Sequence, residues 1–204
     1  MLYLQKGISK INIYTAGKQH IKYAEEICQV IEEAAKKRGT GIAKREPSYI
    51  REKILQGKSV IALAESGDFA GFCYIESWGK DKDFIANSGL IVALKFRSMG
   101  LGKRIKEAAF QLSRKKFPKA KLFGITTSPA VLKINYMLGY RPVAFDQLTD
   151  DEDFWAGCQS CVNFDILQRT DYKHCLCTAM LYDPAEKAEM QKEEGFNGKS
   201  SVSL

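Results

Sequence analysis

Seven residues, Arg97-Ser98-Met99-Gly100-Leu101-Gly102-Lys103, combine cationic side chains with a pair of glycines. Glycine lets a backbone approach a ligand closely, and the first N–H groups of a helix have no partner within it. The helix dipole adds partial positive charge at the same end, so this stretch is a candidate anion site. The third glycine and later acidic residue of a dinucleotide fold are missing, as is the Gly-Lys-Ser/Thr of a triphosphate loop. A second constellation is Cys158-x-x-Cys161 followed by Cys175-x-Cys177, with His174 adjacent. Its four thiols have the count for a structural zinc site that would staple a small terminal flap. A set of reduced, partly buried thiols is the plainer alternative. A third is the basic segment containing Lys37, Arg38, Lys44 and Arg45. Paired cations suit a carboxylate-bearing substrate, because arginine binds carboxylate as a fork; a solvated surface loop is the alternative.

These residues need elements to position them. Ile11 to Tyr14 reads as a short strand, and Gln19 to Lys37 as a helix with Ala24, Ile27, Cys28, Ile31, Ala34 and Ala35 at helical spacing. Gly39 and Gly41 end it. Pro47 is placed as a first-turn proline for a second helix, with Ile50 and Ile54 inward. Ser59–Glu65 and Phe69–Trp78 form a hairpin around Ser66-Gly67-Asp68. In the second of these strands, Phe69, Gly71, Cys73 and Ile75 should face one way and Phe72, Tyr74 and Glu76 the other. A strand from Phe84 to Leu94 delivers the chain to the glycine turn, and an amphipathic helix follows with Leu101, Ile105, Ala108 and Leu112 on one face. Leu122–Thr127 is a strand, Pro129 opens a helix bearing Val131, Ile134 and Leu138, and Pro142–Phe145 starts one more strand. Beyond residue 146 the chain turns acidic and then cysteine-bearing, with a last short strand at Met180–Tyr182 and a polar tail after it.

The chain of 204 residues suits one domain with a sizeable core. Its net charge of +7 comes without an aromatic-basic stripe or recognition motif, which argues against nucleic acid. No apolar run reaches the length of a membrane span and no signal-peptide pattern is seen, so a soluble, cytoplasmic protein is expected. Six cysteines in such a compartment argue against a disulfide framework. A homodimer is left open.

The Arg97-x-x-Gly100-x-Gly102 pattern between a strand and a helix resembles the pyrophosphate loop of the GCN5-related N-acetyltransferases (GNAT). The order β-α-α-β-β-β-α-β-α-β and the closing Leu138-Gly139-Tyr140 before Arg141-Pro142-Val143 resemble the same family. The resemblance implies an α/β (α+β) fold with a central mixed sheet of six to seven strands flanked by four helices. Residues 1–146 would form the acetyltransferase core, 147–183 a cysteine-bearing extension completing the sheet, and 184–204 a disordered polar tail. The co-substrate would be acetyl-CoA or another acyl-CoA. Its diphosphate would sit on Arg97, Ser98, Met99, Gly100, Leu101, Gly102 and Lys103, and its pantetheine arm along the backbone of Leu90, Ile91 and Val92. In that fold the region between the first two helices lines the acceptor pocket, so Lys37, Arg38, Lys44 and Arg45 would draw in a small acidic amino acid. Acyl transfer also needs the amine stripped of a proton. Glu76, near the end of the third strand, is the candidate base; an ordinary solvent-facing strand residue is the alternative. Many members carry a general-acid tyrosine four residues before the closing glycine. Here that place is Asn135, and Tyr136 is next. One residue turns a helical side chain by about 100°, so Tyr136 cannot simply inherit the role, while Asn135 could orient the thiol.

Trp155-x-x-Cys158-x-x-Cys161 ahead of Ala179-Met180, together with Thr126-Thr127, is also similar to short amino-acid N-acetyltransferases of the glutamate-acetylating type. That likeness implies N-acetylglutamate formation, the first step of arginine biosynthesis, with succinyl-CoA as a variant donor. The insertion between Cys161 and Cys175 departs from that pattern and bears on any metal geometry. The rivals are a GNAT acting on a polyamine, a drug amine or a protein N-terminus, and a non-catalytic acyl-CoA-binding or zinc-stapled module.

Overall fold

The computed structural model describes residues 10–38 and 45–189. Its strands are hydrogen-bonded in the order β1-β2-β3-β4-β5-β7-β6, a mixed seven-stranded sheet. The chain groups into two compact units. Among the described residues, one holds those up to Glu76, Asn87–Leu112 and Cys158–Val162; the other holds Ser77–Ala86, Ser113–Gly157 and those from Asn163 on. Among the described residues no helix is long and apolar enough to cross a membrane.

The first unit begins with β1 (Ile11–Thr15), a 3-10 turn (Lys18–Tyr23), α1 (Ala24–Arg38) and α2 (Pro47–Leu55). Then come β2 (Ser59–Ala64), β3 (Phe69–Trp78), β4 (Phe84–Val92) and α3 (Leu101–Lys116). The expected first helix starts later than Gln19, because Lys18–Tyr23 is wound as 3-10 helix. Alternating apolar residues give the strands two buried faces. Ile27, Ile31, Ala34, Ile50 and Ile54 from α1 and α2 pack with Ile61, Phe72, Tyr74 and Ile91. Leu101, Ile105 and Ala109 from α3 pack with Val60, Ala62, Ala70 and Cys73 on the other.

One expectation about β3 fails. Phe69 clusters with Phe72 and Tyr74, not with the Cys73 face, where Ala70 is found instead. The cause is a register irregularity at Ala62/Leu63, opposite Gly71 and Phe69, which slips the alternation by one residue. Gly71 sits beside the slip, where a Cβ would lie 2.5 Å from Ile105 Cδ1 and 2.7 Å from the Ile91 carbonyl oxygen. Only glycine lets α3 and β4 lie this close to β3.

The second unit contains β5 (Lys121–Thr126), α4 (Pro129–Met137), β6 (Arg141–Val143), α5 (Glu152–Ala156), α6 (Phe164–Arg169) and β7 (Thr178–Tyr182). The N-terminal end of β4 pairs in parallel with β5 over Phe84–Ala86 and Lys121–Phe123. The last strand, β7, pairs antiparallel with both β5 and β6. Phe123, Phe154 and Trp155 stack edge to face at 4.9 Å, and the indole N–H of Trp155 donates to the Thr149 carbonyl at 2.8 Å. Residues 184–189 are helical, and Glu186 pairs with Arg141; the rest of the expected disordered tail, 190–204, lies outside the described residues.

Candidate active site

β4 carries Leu90, Ile91 and Val92 up to the glycine turn. Ile91 is buried among the α1–α2 side of the core, while Leu90 and Val92 pack toward α3. The main chain of β4 kinks at Gly89, whose φ of +63° and closeness to the Tyr74 ring exclude a side chain. Past Val92 the chain makes a short 3-10 turn (Leu94–Phe96) and reaches Arg97. Two residues of the following loop, Ser98 and Gly100, are left-handed, with φ of +64° and +71°. Turns of this kind aim successive N–H groups at one point and form anion-binding concavities. The space beside Gly100 is open, with no atom within 4 Å of a Cβ built there.

Leu101 is buried and anchors the first turn of α3, which has no acidic residue to oppose an anion. Gly102 is half-buried and Lys103 exposed. Arg97 is exposed, and its Nε–H donates to the Val92 carbonyl at 3.0 Å, tying loop to strand. Arg104 is turned away, donating to the Ile11 carbonyl at 3.0 Å. Ser98, Met99 and Gly100 all face solvent.

Glu76 is not the solvent-facing strand residue of the plainer reading. It is directed at α2, with its side chain 13% exposed, and both carboxylate oxygens are held: Tyr49 Oη donates to one and Lys53 Nζ to the other. Burial pushes its acid pKa up to about 7, against the pull of the Arg45 guanidinium. Burial also lowers Lys53, with Lys58 adding to the effect and Glu52 opposing it, so the two members of the pair approach each other.

Among the described residues of the basic segment, Arg45 is the one whose side chain the structure brings to this group. Its Nε–H donates to Tyr74 Oη at 2.6 Å, and its guanidinium lies 5.8 Å from the Tyr74 ring centre and 6.0 Å from that of Tyr49. Lys37 is exposed; Lys44 and the side chain of Arg38 lie outside the described residues. Arg45 also lines a cavity of about 410 Å³ between α1 and α2, with Glu25, Cys28, Glu32 and Glu46. Glu25 pairs with Arg51 and Glu32 with Lys36. Burial, then the neighbouring carboxylates, raise the Cys28 thiol, which keeps it protonated.

No family model and no curated protein matches the sequence. Solved structures do match in fold. N-acetylglutamate synthase from Neisseria gonorrhoeae, complexed with coenzyme A and N-acetyl-glutamate, aligns at TM-score 0.59 and 15% identity over 86% of this chain. Rv2747 from Mycobacterium tuberculosis, in complex with CoA, gives 0.59 and 14% over 84% of this chain and 98% of its own. The putative acetyltransferase yncA from Salmonella typhimurium, with acetyl-CoA, gives 0.58 and 11% over 86% and 95%. The chain has the GNAT fold. It spans 35% of the Neisseria synthase chain.

On α4, Asn135 is 1% exposed; no hydrogen-bond partner reaches its Oδ1, and its amide nitrogen lies 3.8 Å from a Cβ built on Gly124 of β5. Tyr136 is 72% exposed, as a one-residue turn of the helix requires.

The expected zinc ligands do not gather. Among the described residues no group of three or more histidine, cysteine, aspartate or glutamate side chains could hold a metal ion. Cys158, Cys161, Cys175 and Cys177 are each half-buried, and all six cysteines are outside disulfides. The reason is the local fold. Cys158 lies in a 3-10 turn (Gly157–Ser160), α6 intervenes, and Cys177 leads directly into β7. A structural zinc needs four ligands at one tetrahedral centre; here a helix and the start of a strand take up the stretch between the two cysteine pairs.

Lys53 and Tyr49 were not singled out by sequence. The available signal is their i, i+4 spacing on α2, which aligns two polar groups on one helix face.

Proposed function

We propose that the chain is an acyl-CoA-dependent N-acyltransferase, moving an acetyl group from acetyl-CoA to the amine of a small acidic amino acid. The observation that carries this reading is the loop from Arg97 to Leu101. It sits at the end of β4 and the start of α3 with left-handed Ser98 and Gly100, in a chain of GNAT fold. Such a loop suits the diphosphate of a coenzyme A, and the backbone of Leu90, Ile91 and Val92 suits its pantetheine arm. Glu76 is the group assigned to take the amine's proton, with a pKa in the range a base needs at neutral pH. Asn135 is assigned to orient the departing thiol, with Tyr136 as the weaker candidate; the orphaned Oδ1 of Asn135 supports the choice.

The acidic acceptor is supported by Arg45 at the edge of the α1–α2 cavity, with Lys37, Arg38 and Lys44 nearby in sequence. By likeness to the Neisseria synthase, glutamate and a place in arginine biosynthesis, in the cytoplasm, are the specific form of the proposal. Succinyl-CoA is the variant donor. A second reading is favoured by the same cavity: Glu25, Glu32 and Glu46 line it, which suits a cationic amine such as a polyamine.

One experiment decides among these. Pure protein is incubated with acetyl-CoA or succinyl-CoA and a panel of amino acids and polyamines, and the products are identified by mass. An N-acylated acidic amino acid is the expected product. Acylated polyamine alone would transfer the assignment to the second reading, and no thiol release with any amine would overturn both.

A further inference from the structure

The alternation of β3 places Tyr74 and Glu76 on the face covered by α2. On α2, Tyr49 and Lys53 stand one turn apart, and each donates to a different oxygen of the Glu76 carboxylate. Lys53 Nζ also lies 4.7 Å from the Tyr49 ring centre. Arg45, just ahead of α2, closes the group by bonding Tyr74. The Lys53 and Glu76 side chains are only 8% and 13% exposed. A buried ion pair of this kind is a poor source of stability, since desolvation offsets most of its attraction. The two donors hold one carboxylate in a single direction.

We propose that Lys53 and Tyr49 are positioning residues that keep the Glu76 carboxylate ionised and aimed for proton removal from the acceptor amine. This rests on the reading of Glu76 as the base. A carboxylate has about four lone-pair sites, so two donors leave room for an incoming proton. In the step, the acceptor ammonium gives one proton to a Glu76 oxygen. The freed nitrogen pair forms the C–N bond to the acyl carbon, and the C–S bond breaks. The nitrogen sheds its second proton as the amide forms; the coenzyme leaves as thiolate and takes that proton, and the proton on Glu76 passes to solvent before the next turnover. Lys53 and Tyr49 transfer nothing; they set the charge and orientation of the acceptor oxygen. The other charged groups acting on the pair are Arg45 on Glu76, and Lys58 and Glu52 on Lys53.

The test uses the full chain with 13C-labelled glutamate carboxyls, the Glu76 signal being assigned by its loss in Glu76→Gln. Lys53→Met should move the Glu76 titration midpoint upward by roughly one to three units, the range for loss of an opposite charge at contact. Tyr49→Phe should move it the same way by less, and serves as the second variant if Lys53→Met does not fold. Lys53→Arg should keep the midpoint near its wild-type place. The acid limb of kcat/KM should follow the midpoint upward while the affinity for acetyl-CoA stays unchanged. A midpoint unmoved in the variants would overturn the positioning role. A moved midpoint with an unmoved acid limb would instead overturn Glu76 as the base.

Discussion

Gly71→Ala is the substitution whose cost follows most directly from the geometry. The added methyl would lie 2.7 Å from the Ile91 carbonyl oxygen and 2.5 Å from Ile105 Cδ1. Ile105 is a flexible side-chain end and can turn away. The Ile91 oxygen is backbone, so β4 itself must move by about 0.7 Å to bring the 2.7 Å approach out to an ordinary contact of 3.4 Å. Overpacking of this kind costs about 1–3 kcal/mol, against which replacing glycine in a strand returns about 0.5–1 kcal/mol. The middle of each range leaves a net loss of about 1 kcal/mol, which lowers the thermal midpoint of a chain this long by roughly 2–4 °C. Because the displaced segment is the strand leading to the Arg97 loop, acetyl-CoA affinity should weaken as well. Gly102→Ala is the control: its methyl would meet Val92 Cγ2 at an ordinary 3.7 Å, and alanine favours the helix by about 1 kcal/mol. That variant should therefore melt higher. The assay is thermal unfolding with parallel calorimetry of acetyl-CoA. A Gly71→Ala protein that melts with wild type, or a Gly102→Ala protein that melts well below it, would refute the packing argument.

Two further outcomes follow from buried groups. Lys106 on α3 is buried, its Nζ 3.5 Å from the Asn87 carbonyl, and burial lowers its pKa from 10.5 to about 8. The unfolded chain then holds the proton more tightly than the folded one, so stability should climb as pH rises from about 8 to 9, by at most ~1.4 kcal/mol per unit. Above 9 the Cys73 thiol, raised to about 11, gives the opposite slope. Urea midpoints across this window should show the rise in wild type and lose it in Lys106→Met. In the second unit, Asp151 caps α5 through the Asp153 N–H at 3.0 Å and accepts from the Gly79 N–H at 2.8 Å. Asp151→Ala should cost roughly 1–3 kcal/mol by chemical denaturation, and a change below a few tenths would contradict the double role.

The elements were legible where periodicity was strong. The apolar faces of α1 and α3, the hairpin of β2 and β3, and the glycine turn all follow from residue type and spacing. The loop at Arg97–Lys103 was legible as a turn into a helix because glycine, arginine and a helix start leave a local mark. The phase slip in β3 was not, because a bulge inserts a residue without changing composition. Neither was the left-handed Ser98, since a serine gives no sign of positive φ. The short helices α5 and α6 are too brief to show a period. The Glu76 environment depends on Tyr49 and Lys53, more than twenty residues away in sequence, and pairing at that range is decided by packing. The cysteine spacing suggested zinc because spacing alone cannot register the helix and strand that occupy the same segment.

The proposed function depends on the main-chain amides of the Arg97–Lys103 loop binding an acyl-CoA. The decisive experiment is calorimetric titration of wild type and Gly100→Glu with acetyl-CoA. The open, left-handed position of Gly100 means that glutamate there brings both backbone strain and a carboxylate to the proposed anion site. Saturable binding by wild type and none by the variant is the predicted result. Equal affinity in the two proteins, or no binding by wild type, would contradict the account.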